Sequence, residues 1–199
     1  MPKRPEQNKA IQEKRRQDIK DKALRLFAIQ GFDEISVDDI CKAAKCAHGL
    51  FYHYYASREE LFSDLLKDMG DDLLPLTEAK SEPGFSGLRL LLVQITSSLQ
   101  EKLTNKQSYL LLHLNFHKQR ELQKAVYKKH FGLYQIMKEK IKEGQKEGAL
   151  IAGDPEEILE SLAMLLRGQL ITKIEAKEKG FKYLSEDVLE LMIQKSAQF

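Results

Sequence analysis

The chain has 199 residues, 42% of them hydrophobic, with 32 Lys or Arg against 30 Asp or Glu and a formal net charge of +2. This suffices for one or two compact domains, and no apolar run approaches the ~18 residues of a membrane span or follows the basic start as a signal sequence would, so the expected setting is cytoplasmic, away from membranes. Two cysteines, Cys41 and Cys46, with no second Cys or His pair near them, make no zinc pattern; they are either small packing residues or a redox pair.

Charge is unevenly placed. Residues 1–58 hold 12 Lys or Arg against 8 Asp or Glu, a net +4, while residues 59–199 hold 20 against 22, a net −2. Lys3, Arg4, Lys9, Lys14, Arg15 and Arg16 cluster at the start. Such an arm either follows phosphates or enters a minor groove, or it is a solvated tail.

Ile19, Ala23, Leu26 and Phe27 recur at spacings of three and four and stop at Gly31, predicting an amphipathic helix with a glycine cap. Phe32 and Ile35 then lead into Ser36. Ser36 with Asp39, and Ser57 with Glu60, fit capping boxes, in which a hydroxyl accepts from an orphan amide and a carboxylate reaches back. Between these helix starts lie a small apolar face, Ile40, Ala43 and Ala44, then Leu50 and five consecutive rings from Phe51 to Tyr55. At helical spacing Phe51 and Tyr55 share a core face, whereas Tyr52 and His53 point elsewhere with polar tips. The stretch from Ser36 to Arg58 therefore reads as two short helices and a tight turn, a helix-turn-helix pattern suited to phosphates and base edges. The plainer reading is an aromatic patch closing a small helical core.

On Ala23, Leu26, Phe27, Gly31, Phe32, Ser36, Val37, Ile40, Ala43, Ala44, Gly49, Phe51, Tyr52, Tyr55, Ser57, Glu59 and Leu61, the chain resembles the tetracycline-repressor (TetR) family of bacterial transcription regulators. The resemblance runs from about Ile19 to Leu66. It implies an all-α, dimeric, ligand-released repressor of a near-palindromic operator. It further implies that Ser36 contacts phosphate, that the helix from Ala47 to Tyr54 enters the major groove, and that Tyr52 and Arg58 hold the DNA backbone. His48, Leu50 and His53 occupy positions facing bases or phosphates. Three residues depart from the family pattern. Lys45, counted with the DNA-binding set, stands where a turn glycine is usual, Ala47 replaces a capping Ser or Thr, and Asp38 and Asp39 bring negative charge near the groove. Lys45 is expected to be left-handed and Ala47 to leave an amide uncapped.

The remaining sequence predicts helices over about Ser57–Leu74, Leu88–Leu103, Lys106–Lys118, Glu121–Glu147, Pro155–Lys179 and Glu186–Ala197, with a loop at Thr77–Gly87. With no period-two pattern, the whole is expected to be all-α with about nine helices. Residues 1–58 form the DNA-binding domain with its basic arm, and residues 59–199 a helical ligand-binding and dimerisation domain. The stretch from Ile158 to Ile174 is apolar almost all round and so should be buried on both sides, as should Val188 to Ile193. The family resemblance assigns the second buried face to a two-fold dimer, with Leu162, Leu166, Leu170, Val188 and Met192 in the seam; the alternative is a central helix within one chain.

Tyr109, His113, Phe116, His117, Tyr127, Phe131 and Tyr134, with Arg167, bring rings and a few polar tips into an apolar setting. They form either a pocket for an unidentified small-molecule effector or ordinary core. Arg167 meets either an acidic ligand group or a neighbouring carboxylate. His113 and His117 lie four apart, but the intervening Leu114, Asn115 and Phe116 supply no glutamate of the metalloprotease pattern, so no metal and no other cofactor is expected. With no nucleophile elbow, phosphate-binding glycine loop or dinucleotide fingerprint, no enzymatic activity is expected. An all-helical interaction module, or a metal or redox sensor that does not bind specific DNA, is the alternative.

Overall fold

A computed structural model describes residues 5–73, 81–116, 133–175 and 182–194. Among these residues nine helices occur: α1 (Pro5–Gln30), α2 (Val37–Ala44), α3 (His48–Tyr54), α4 (Arg58–Leu73), α5 (Gly84–Gln100), α6 (Asn105–Phe116), α7 (Leu133–Lys146), α8 (Pro155–Glu175) and α9 (Glu186–Leu191). The one β feature described is an isolated antiparallel bridge between Leu150 and Gln194. The chain is thus all-α, as its periodicity requires.

The first four helices enclose a core of Ile19, Ala23, Phe27, Phe32, Ile40, Phe51, Leu61 and Phe62. At its centre Phe27, Phe32 and Phe62 form a ring triad with centroids 4.5 to 5.3 Å apart. Edge and tilted geometries at such distances add to what burial alone contributes. Because Leu61, Phe62 and Leu65 all face inward, the first turns of α4 belong to this core. The same buried cluster continues into α5 and α6.

Helix α1 begins at Pro5, well ahead of Ile19, so Lys9, Lys14, Arg15 and Arg16 are helical, not part of an extended arm. Its first half is exposed, and Glu, Gln, Lys, Arg and Ala favour a helix without burial. Exposed Arg15–Asp18 and Arg16–Glu13 pairs at 4.0 and 3.9 Å add little. Lys3 and Arg4 lie outside the described residues.

Other boundaries shift for local reasons. Helix α5 starts at Gly84, ahead of the expected Leu88, because carboxylates from α7 and the residue after it satisfy its first amides: Gly84 N–H donates to Glu143 at 3.0 Å and Phe85 N–H to Glu147 at 3.1 Å. The last helix stops at Leu191, short of the expected Ala197. Ile193 turns inward, and its carbonyl accepts from Ile151 N–H at 2.9 Å. Of the helix expected over Glu121–Glu147, the part before Leu133 lies outside the described residues, as do Lys195 to Phe199.

Helix α8 corrects the expected dimer seam. Leu162, Leu166 and Leu170 are buried within one chain, together with Ile158, Leu159 and Ala163. Helix α8 packs chiefly against α6 and α7. The apolar surplus lies instead about half a turn away, at Met164, 66% exposed, with Leu165 half-buried beside it. On and after α9, Val188 and Met192 are exposed within the single chain, and Leu191 is 74% exposed.

Candidate nucleic-acid interface

Helix α2 begins in a complete capping box. Ser36 is extended (φ −90°, ψ 165°), its Oγ accepts from Asp39 N–H at 3.2 Å, and the Asp39 carboxylate accepts from Ser36 N–H at 3.0 Å. The Ser36 hydroxyl also donates to that carboxylate, so its hydrogen already has an acceptor. These bonds, chiefly the one from the hydroxyl, hold the Asp39 carboxyl below the usual carboxylate range. The second box forms in part. Ser57 Oγ accepts from Glu60 N–H at 3.2 Å, but the Glu60 carboxylate takes the amide of Ala56, not that of Ser57.

The turn into α3 is a Schellman closure: Lys45 N–H donates to Lys42 O at 3.2 Å and Cys46 N–H to Cys41 O at 3.0 Å. Lys45 is left-handed at φ 51°, ψ 49°. Among the described residues it is the single non-glycine with positive φ. This closure typically brings the side chains at its two ends together, which explains why Cys41 and Cys46 interact. Burial first, then Cys46, pushes the Cys41 thiol up to about 11, the behaviour of an inert packing thiol.

Helix α3 has an inner and an outer face. Phe51 and the capping residue Tyr55 are buried; Leu50 and Tyr54 are half-buried against the core. His48, Gly49, Tyr52 and His53 face outward, Tyr52 55% exposed, and a Cβ added to Gly49 would meet nothing within 4 Å. The expected division of the ring run is therefore observed, and Leu50 is more a packing residue than its assignment implied. Ala47 makes no side-chain cap, as expected. His48 Nε2 instead lies 2.6 Å from Asp38 Oδ1, while Asp38 Oδ2 accepts from Lys42 at 2.8 Å. Hydrogen bonds from Lys42 and then His48 hold the Asp38 carboxyl low. The acidic pair noted as a departure thus has internal partners, Asp39 on Ser36 and Asp38 on His48 and Lys42. The His48 pairing spans ten residues and leaves no periodic trace.

Ser36, Val37, Tyr52, Ala56, Ser57, Arg58 and Glu59 line a shallow depression between α2, α3 and the start of α4, so three of the expected DNA-binding residues converge there. Arg58, however, is turned inward. Its Nη1 donates to Phe32 O at 3.1 Å and Ile35 O at 2.6 Å, and its guanidinium lies 4.1 Å from the Phe32 ring centroid. Arg58 therefore clamps the α1–α2 loop, and the phosphate role expected of it is corrected to that extent.

Four of the eight expected pocket residues have described side chains. Tyr109 and His113 lie in the core on α6. His117, Tyr127 and Phe131, and the side chain of Phe116, lie outside the described residues. Tyr134 and Arg167 meet through Glu160: the Tyr134 hydroxyl lies 2.9 Å from Glu160 and 2.6 Å from Glu156, and Arg167 donates to Glu160 at 3.1 Å and to Leu114 O at 2.9 Å. Burial and then these carboxylates raise the Tyr134 phenol above its ordinary range. Arg167 thus takes the neighbouring-carboxylate option. A separate open cleft of about 380 Å³ lies between Ile151, Gly153, Ile158, Leu162, Leu165 and Met192, and of the expected pocket residues that are described, Tyr109, His113, Tyr134 and Arg167, none lines it. Among the described residues no three His, Cys, Asp or Glu side chains converge as a metal site, and no helix is long and apolar enough to cross a membrane.

Residues 19–65 match the family model described as bacterial regulatory proteins, tetR family. The HTH-type transcriptional regulator AcrR of Shigella flexneri is 35% identical over 107 residues, 52% of this chain and 48% of that protein. The chain's match therefore spans about half the length of this curated relative. Two solved structures share the fold at 17% identity: HlyIIR, a hemolysin II transcriptional regulator, with a TM-score of 0.63 covering 93% of this chain and 99% of that one, and AibR in complex with isovaleryl coenzyme A and operator DNA, with a TM-score of 0.57 covering 89% and 95%. The similarity to the tetR family of bacterial regulatory proteins thus lies in the N-terminal helices, over residues 19–65.

Proposed function

We propose that the chain is a transcriptional repressor that binds a near-palindromic operator as a two-fold dimer and is released by a small molecule held in its C-terminal helices. The observation that carries this reading is α3, whose inner face is anchored by Phe51 and Tyr55 while His48, Gly49, Tyr52 and His53 project from a helix-turn-helix scaffold. A helix so presented fits a major groove, with its first residues at base edges. Tyr52 and Lys45 then supply phosphate contacts, and Ser36, whose hydroxyl and amide already donate to Asp39, fixes the start of α2. The AibR complex with operator DNA and an acyl coenzyme A supports both halves of the reading by its shared fold.

Dimerisation is supported by Met164, Leu165, Val188, Leu191 and Met192, apolar side chains left outside the core on α8 and around α9. Two linked recognition helices reach adjacent half-sites at high effective concentration, whereas one alone retains mainly the weak, salt-dependent phosphate term. The reading implies a cytoplasmic regulator with no enzymatic activity. An effector releases DNA only if it favours a conformation in which the two α3 helices no longer match the half-site spacing, and operator must then weaken effector binding by the same factor.

A mobility shift with duplex from the chain's own upstream region, competed by unrelated duplex, tests the assignment. The expected result is a two-fold-symmetric footprint and loss of base preference in His48→Ala or His53→Ala. Binding to all duplexes with equal affinity would refute it.

A further inference from the structure

The end of α3 is tied down by a carboxylate on α4, Asp64, that does not line the depression between α2, α3 and α4. Asp64 Oδ2 accepts from Arg16 Nη2 at 2.9 Å, from Lys20 Nζ at 2.8 Å and from the Tyr55 hydroxyl at 3.3 Å. Lys20, whose side chain is only 7% exposed, also pairs with Asp68 at 2.7 Å. The Arg16 guanidinium sits 5.4 Å from the Tyr55 ring centroid. One oxygen therefore joins α1, α4 and the residue that caps α3, where Tyr55 N–H donates to Phe51 O. Two cations and two carboxylates balance, which makes their burial tolerable.

Helix α3 needs such an anchor. It has 7 residues, no side-chain cap at Ala47 and an open outer face at Gly49. A helix of two turns has little stability of its own, so its direction is set by whatever holds its ends and its inner face. The inner face offers Phe51, with Leu50 and Tyr54 half-buried beside it. At 1.5 Å per residue the helix is about 10 Å long, so a tilt of ~10° about its Tyr55 end moves the His48 end by ~2 Å. Hydrogen bonds to base edges tolerate a few tenths of an ångström.

We propose that Asp64 is a positioning residue for operator recognition, holding Tyr55 and hence the tilt of α3 without itself touching DNA. The proposal rests on the DNA-binding reading above and adds a residue that the helix-turn-helix pattern does not contain. Losing the anchor loosens base contacts more than phosphate contacts, which long, exposed side chains can follow. It therefore lowers discrimination between operator and unrelated duplex and leaves the number of neutralised phosphates, and so the salt slope, unchanged.

The test uses the full chain. Tyr55→Phe removes one hydroxyl and keeps the ring; Asp64→Asn keeps shape and removes charge; Asp64→Glu restores the charge on a longer stem. Affinity for a selected operator and for unrelated duplex of equal length is read by fluorescence anisotropy at several salt concentrations, with circular dichroism confirming the folded state. The expected result is a fall in the operator-to-unrelated ratio of about threefold to tenfold for Tyr55→Phe, the range of a single net hydrogen bond. A larger fall for Asp64→Asn, partial recovery in Asp64→Glu and parent-like salt slopes are expected alongside it. If Asp64→Asn does not fold, Tyr55→Phe carries the test alone. A folded Tyr55→Phe with the parent's ratio overturns the proposal, as does a parallel loss on both duplexes with a reduced slope, which would make the site a direct phosphate contact. A parent that distinguishes no duplex overturns the DNA-binding reading instead, and the positioning role with it.

Discussion

Replacing Lys45 by glycine separates backbone from charge at the turn between α2 and α3. Lys45 is held at φ 51°, ψ 49°, where an L side chain crowds the following carbonyl oxygen at ~1–2 kcal/mol. Glycine is free of that strain but returns ~0.5–1 kcal/mol through the greater freedom of its unfolded chain. The side chain is exposed, so little packing is lost. The net expectation is a gain of ~0.5–1 kcal/mol, or ~1–4 °C in Tm for a chain of this size. Lys45→Ala keeps the strain and loses the ammonium, so it melts with the parent. Both variants lose the same positive charge. If that charge meets a phosphate, the slope of log K against log salt shrinks by ~0.9 in each. Melts followed by helical circular dichroism at one protein concentration, with operator titrations at several salt concentrations, read the two effects separately. A glycine variant melting no higher than the alanine variant refutes the strain reasoning, and unchanged slopes in both refute the phosphate contact.

Arg58→Ala removes two charged hydrogen bonds to carbonyls and the stack on Phe32, and is expected to lower stability by ~2–4 kcal/mol in urea titration; an unchanged midpoint with lost DNA binding would return Arg58 to the phosphate backbone. Met164→Glu with Leu191→Glu should sediment as a helical monomer, whereas Leu166→Ala should cost ~2–5 kcal/mol of stability, and an intact dimer for the double variant would move the seam elsewhere. Burial pushes the Asp64 carboxyl up, but hydrogen bonds and charge from Lys20, with Arg16 and Tyr55, outweigh it, so its folded value lies below the ordinary one. Its stabilisation is thus present above ~pH 4 and lost as pH falls through the lower folded value; urea midpoints of the parent and Asp64→Asn should converge in acid, and a constant gap between them down to ~pH 2 would contradict the linkage.

Residues whose position follows from helical phase were legible in the sequence. Ile19, Ala23 and Phe27 share the inner stripe of α1, Phe51 and Tyr55 turn inward, and Tyr52 and His53 turn outward. So were features that depend on one residue type at one place: the Ser36–Asp39 box, the left-handed Lys45, the bare cap at Ala47. Phase failed where a helix was apolar all round. In α8 the pattern could not say which stripe the chain's own helices would take, and the stripe of Leu162, Leu166 and Leu170 went to the core, leaving Met164 outside.

Polar contacts between distant segments left no periodic trace, and they decide what several candidate residues do. Arg58 and Arg167 both looked available for an anion, yet each donates to a backbone carbonyl, of Phe32 and Ile35 in one case and of Leu114 in the other. A carbonyl acceptor has no sequence signature, because every residue carries one. These bonds also join the two halves of the molecule. Arg167 on α8 holds Leu114, its neighbour Asn115 donates to Ala28 O on α1 at 2.8 Å, and α1 ends two residues later, at Gln30, before the loop that Arg58 clamps to α4. A conformational change that draws Arg167 from Leu114 therefore acts on the end of α6 beside the α1 contact, and α1 supplies both Arg16 and Lys20 to the carboxylate that anchors α3. Such continuity becomes a switch only if α6 has two stable positions, each favoured by a different ligand.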